Sequence, residues 1–122
     1  MFSHIIIGSN NIQVAKQFYD ATFSTLGYKP GIIDEKGRCF YITDSGVFGV
    51  SIPINGEPAS HGNGSTIGFK VKNPEMIEQW HAAGVANGGC SCEEPPGDRG
   101  DYYAAYLRDP SGNKLCALYR KP

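Results

Sequence analysis

The chain has 122 residues, the length of one ordinary domain. With 40% hydrophobic and 19% charged residues it has the means to build a core, and disorder is excluded. Eleven basic residues against twelve acidic ones give a net charge of −1, which argues against coating nucleic acid or a polybasic membrane role.

The first element is a strand, Ser3 to Gly8, built on the β-branched run Ile5-Ile6-Ile7. Asn10 and Asn11 offer helix N-caps, and Ile12, Ala15, Phe18, Tyr19, Thr22, Phe23 and Leu26 fall at helical spacing. Gly27 ends that helix. Tyr28 to Ile33 reads as an edge strand broken by Pro30-Gly31, Arg38 to Thr43 as an alternating strand, and Val47 to Ile54 as another. Asn55 to Gly64, rich in Gly, Pro, Ser and Asn, reads as a linker.

The pattern then restarts. Ser65 to Val71 is a strand, and Asn73-Pro74 starts a helix with Met76, Ile77, Trp80 and Ala83 on one stripe. Cys90 to Glu94 is a strand and Pro95 to Asp101 a loop. Tyr102 to Arg108 and Lys114 to Arg120 are strands joined by the turn Asp109-Pro110-Ser111-Gly112-Asn113. At an offset of 62, Ser3 meets Ser65, Ile5 meets Ile67, Asn11 meets Asn73, Phe18 meets Trp80, Gly27 meets Gly89 and Tyr41 meets Tyr103. Such internal repetition predicts two βαβββ modules, each too small to bury its own apolar face. The expected fold is α+β: tandem modules forming a curved mixed sheet around a cleft, with helices outside. Module one spans 1–54, the linker 55–64 and module two 65–122.

Cys39, Cys90, Cys92 and Cys116 include no C-x-x-C pair, and Ile5-Ile6-Ile7 is too short for a signal peptide. No apolar run approaches the ~20 residues of a membrane span. The expectation is a cytoplasmic protein with free thiols.

His4-Ile5-Ile6-Ile7-Gly8, Phe18-Tyr19, Leu26-Gly27-Tyr28, Ile67-Gly68-Phe69, Gly88-Gly89, Tyr102-Tyr103-Ala104-Ala105-Tyr106 and Asp109-Pro110-Ser111-Gly112-Asn113 carry a resemblance over nearly the whole chain. The sequence resembles the vicinal oxygen chelate superfamily, which includes glyoxalase I, bleomycin-resistance proteins and extradiol dioxygenases, and within it the small glyoxalase-like branch. The resemblance implies a divalent metal held by cleft-facing strands. His4 stands at the first ligand position. The second falls on Thr66, the carboxylate position on Cys116, and the matching place in the first half near Val50 or Ser51. Three of the four depart from the pattern, and zinc, iron and manganese sites need about three strong donors. No cofactor is therefore expected, and no metal, His4 being the one retained ligand position.

His4 is the candidate acid–base group, because imidazole titrates near neutral pH. Cys116 is a candidate nucleophile if His4 lies across the cleft; the alternative is an inert buried thiol. Tyr41, Tyr103, Thr66 and Ser51 are candidate substrate-binding groups. Arg38 and Arg99 are candidates to hold an anionic ligand, or else solvated surface arginines. The expected function is small-molecule binding in the cleft without a catalytic metal. The alternatives are a glyoxalase I-like lyase, or another isomerase or dioxygenase, metal-dependent or using His4 as base, and a non-catalytic interaction protein. The resemblance further implies a homodimer; no nucleic-acid or membrane partner is expected.

Overall fold

A computed structural model describes residues 1–122. The chain order is β1 (His4–Gly8), α1 (Ile12–Thr25), β2 (Ile32–Ile33), β3 (Cys39–Thr43), β4 (Gly46–Ser51), β5 (Ile67–Lys70), α2 (Pro74–Ala86), β6 (Cys90–Ser91), β7 (Gly97–Asp98), β8 (Tyr102–Arg108) and β9 (Lys114–Arg120). A βαβββ unit is therefore followed by a βαββββ unit, one strand longer than the repeat predicts, and the class is α+β as expected. The first sheet has the order β1-β4-β3-β2 and the second β5-β9-β8-β6, with β7 also on β8. In each, the first and last long strands run parallel (β1 with β4, β5 with β9) and the rest antiparallel. Each unit keeps its own hydrogen-bonded ladder, so the curved sheet is in fact two.

Both helices start as their sequences dictate. Asn11 Oδ1 accepts from the Val14 N–H, and Asn73 Oδ1 accepts from the Met76 N–H. Asn10 does not cap; its side chain accepts from the Ala59 N–H and pins the linker. The helices end differently. Gly27, at φ 87°, takes the left-handed position after α1, whereas after α2 that position belongs to Gly88, at φ 96°. Gly89 serves close packing instead, since a Cβ there would meet Phe18 at 2.5 Å.

One core joins the units. Phe18, Tyr19 and Phe23 of α1, Ile77 and Trp80 of α2, and Tyr41, Phe48, Val50, Leu107, Leu115 and Ala117 of the strands form a single buried cluster. Strand alternation turns the opposite faces away from the helices: His4 and Ile6 in the first sheet, Tyr106 and Cys116 in the second. Asp109 ties the units together. It is 4% exposed, and it accepts from Tyr19 Oη at 2.5 Å and from Ser111 N, Asn113 N and Asn113 Nδ2 at 2.9 Å each. Asn113 Nδ2 also donates to the Gly8 carbonyl at the end of β1.

Several strands are shorter than the apolar runs suggest. Tyr28 to Ile33 contributes only Ile32–Ile33, and the expected loop Pro95 to Asp101 contains β7. That extra strand breaks the constant offset. Ile5 lies beside Phe48 and Tyr41 beside Phe48, while Ile67 lies beside Leu115 and Leu107 beside Leu115. The structural equivalent of Tyr41 is thus Leu107, not Tyr103. By the same register, Ile6 faces Gly49 and Gly68 faces Cys116. The first-half counterpart of Cys116 is therefore Gly49, not Val50 or Ser51.

Candidate functional site

A cavity of about 270 Å³ opens where β1, β5, the β3–β4 turn and the N-terminal residues meet. Its apolar wall is aromatic. Phe23 stands at the centre, with ring centroids 4.8 Å from Tyr41, 5.1 Å from Phe69, 5.4 Å from Phe48 and 5.9 Å from Tyr28. Edge-to-face pairs of this kind hold rings in fixed relation. Ile5 and Ile67 complete the wall from the two facing edge strands. The rim is polar and comes from Ser3, His4, Thr43 and Ser45. Thr43 Oγ1 donates to the Gly46 carbonyl at 2.8 Å, which fixes the turn. Ser3 Oγ lies 2.7 Å from His4 Nδ1. Met1 and Phe2 flank the mouth, both exposed.

Of the residues singled out from the sequence, His4 and Tyr41 line this cavity. The Tyr41 hydroxyl is already engaged, donating to Asp20 Oδ1 at 2.8 Å. Burial and the Asp20 carboxylate hold its proton on well above the ordinary phenol range. Tyr103 lies elsewhere; its hydroxyl donates to Glu78 Oε1 on α2 at 3.3 Å. Thr66 precedes β5 and is exposed. Ser51 donates to the neighbouring Ile52 carbonyl and borders a second hollow beneath the linker. Arg38 is forked onto Asp34 and stacked over Phe40, and Arg99 reaches Glu94 and the Pro95 carbonyl. Both arginines are spent within their own loops, so neither stands ready for a ligand in the cavity.

Cys116 lies on the second sheet, 5% exposed, opposite Tyr106. Burial pushes its thiol up, and the neighbouring Tyr106 hydroxyl only partly opposes this. The thiolate needed for attack is disfavoured. No hydrogen bond joins His4 to Cys116; the partner of His4 is Ser3.

The donor set does not fit the divalent metal that the resemblance implies. Nowhere do three His, Cys, Asp or Glu side chains gather where they could hold an ion. The fourth ligand position is held by Gly49, which has no side chain to offer, and a Cβ there would meet the Phe40 ring at 2.7 Å. His4, Thr66, Gly49 and Cys116 offer two good donors between them, too few for such a site.

Tyr28, Phe48, Phe69 and the N-terminal residues carry no mark of a site in the sequence. Their one signal is apolar alternation, which marks core positions whether or not a hole lies among them.

A family model described as Glyoxalase/Bleomycin resistance protein/Dioxygenase superfamily matches residues 1–117. A solved glyoxalase/bleomycin resistance protein from Albidiferax ferrireducens T118 is 56% identical, with 98% of each chain covered and a TM-score of 0.95. A glyoxalase-related enzyme from Fulvimarina pelagi (16% identity, 98% of this chain and 88% of that one, TM-score 0.78) shares the fold. So does a lactoylglutathione lyase from Agrobacterium tumefaciens (18%, 98% and 92%, TM-score 0.69). No curated protein matches the chain. No helix is long and apolar enough to cross a membrane.

Proposed function

Because the chain belongs to the glyoxalase/bleomycin resistance protein/dioxygenase superfamily, we propose that it is a small-molecule binding member that works without a metal centre. The observation that carries the reading is the aromatic cavity between β1 and β5. Apolar cavities of about 150 Å³ hold benzene, and ligand pockets for larger molecules start at about 300 Å³. A space of about 270 Å³ therefore suits a single ring with a small substituent. The apolar end would sit against Phe23 and Phe69, and a hydroxyl or similar group would meet the polar rim.

A halogenated phenol tests this. 4-Bromophenol is expected to bind the wild-type protein and to bind Ile67→Phe, which fills the cavity, at least 10-fold more weakly. Equal binding by both proteins would remove the reading.

A lyase or isomerase reaction with His4 as base draws support from Ser3 Oγ, 2.7 Å from Nδ1 at the rim. In the tautomer whose Nδ1–H donates to Ser3 Oγ, Nε2 would be free to take a proton. Its test is turnover of the hemithioacetal of methylglyoxal and glutathione, with His4→Gln as the expected loss. The homodimer is supported by the apolar face of the first sheet turned away from the helices, where Ile6, Ile32 and Ile42 are 44%, 62% and 69% exposed. Sedimentation at micromolar concentration decides it: a 122-residue monomer would contradict it.

A further inference from the structure

The face of the second sheet turned away from the helices carries a charge arrangement that the cavity does not use. The β8–β9 register puts Arg108 directly opposite Lys114, and Tyr106 opposite Cys116 in the neighbouring row. Like charges directly opposite on adjacent antiparallel strands repel. Both side chains are half-buried, which weakens screening by water. Lys114 lies over the Tyr106 ring, 5.2 Å from its centroid, and is ion-paired with Glu93. Arg108 has no carboxylate partner; its guanidinium donates to the Gly112 carbonyl at 2.7 Å.

Glu93 is the second observation. It is the one non-glycine residue in the left-handed region, at φ 56°. That conformation is disfavoured for a residue with a side chain and persists only where surroundings enforce it. Here the short segment between β6 and β7 turns back and delivers a carboxylate to Lys114. Of two cations on facing strands, Lys114 alone has a carboxylate partner, and that carboxylate is held by a disfavoured backbone.

We propose that this face is a binding site for a ligand carboxylate, and that Glu93 is its internal occupant. An incoming carboxylate displaces Glu93 from Lys114, accepts from the Lys114 ammonium and reaches the Arg108 guanidinium. The displaced segment relaxes out of the left-handed conformation. The class follows from the occupant: a carboxylate already fits against Lys114 beside the Tyr106 ring. The site is independent of the cavity and stands or falls separately.

Calorimetric titration of the full chain with benzoate tests it, with benzamide and inorganic phosphate as further arms. Wild-type protein is expected to bind benzoate and not benzamide. Glu93→Gly removes the competing group and suits the backbone, and should bind at least 10-fold more tightly. Glu93→Gln, which keeps a side chain of the same length, should also bind more tightly. Lys114→Met and Arg108→Met should each lose at least 10-fold. The proposal is overturned if benzoate affinity is unmoved by Glu93→Gln and Lys114→Met, because the anion then binds elsewhere. Benzamide binding as well as benzoate, or phosphate binding in its place, overturns the carboxylate assignment.

Discussion

Removing the Asp109 carboxylate should be among the most damaging single changes in the chain. Asp109→Ala leaves the Tyr19 hydroxyl buried with no acceptor, in a residue that is 0% exposed. It also strips three donors around the β8–β9 turn, at Ser111 N, Asn113 N and Asn113 Nδ2. Hydrogen bonds to a charged group contribute about 1.5–3 kcal/mol each, and an orphaned buried donor costs about 1–3 kcal/mol. The turn amides regain water when the turn loosens, so the losses do not sum; about 3–5 kcal/mol is expected in total. A chain of this length has about 6–18 kcal/mol to lose. The assay is urea unfolding followed by fluorescence of Trp80, the single tryptophan. Tyr19→Phe removes one of the four bonds and should cost about 1–3 kcal/mol. In a double-mutant cycle the two changes should couple by about 1.5–3 kcal/mol, since each removes the same bond. A loss below about 1 kcal/mol for Asp109→Ala would refute the idea that this carboxylate joins the two units.

Three further outcomes follow from the geometry. Burial pushes Asp20 up, but hydrogen bonds from the Gly31 N–H, Lys16 and Tyr41 outweigh it and hold the carboxyl below its ordinary 3.8. A depressed folded value means the stabilisation is complete above pH about 4 and is lost as the pH falls through the folded value. Asp20→Asn should therefore flatten the acid limb of a stability-against-pH curve, and an unchanged limb would count against the network. Gly49→Ala should cost about 1–3 kcal/mol, because the new methyl meets the Phe40 ring; thermal melting shows it, and a neutral result would mean Phe40 swings away freely. Iodoacetamide should label exposed Cys90 first and leave buried Cys39 and Cys116 protected until unfolding, as read by peptide mass.

The repeat made the architecture legible because its strongest markers are local. Asn11 and Asn73 cap at one spacing, and the Asp109 turn has a defined chemistry visible in five consecutive residues. The same offset misled further along. Tyr103 shares a residue type with Tyr41, but β7 lengthens the second unit before β8, so the ladder pairs Tyr41 with Leu107 in role. The site was less legible. His4 could be placed on a first strand, but nothing in the sequence distinguishes Phe23, Phe48 and Phe69 packed solid from the same rings around a hole. The opposition of Arg108 and Lys114 depends on strand register, and Glu93 gave no sign of its backbone, since left-handed non-glycine residues are set by tertiary context.

A crystal grown with 4-bromophenol and measured at the bromine absorption edge tests the central claim directly. One bromine peak is expected inside the ring of Phe23, Tyr28, Tyr41, Phe48 and Phe69, with no metal peak near His4. A bromine peak elsewhere on the protein, or a metal peak bound through His4, would contradict it.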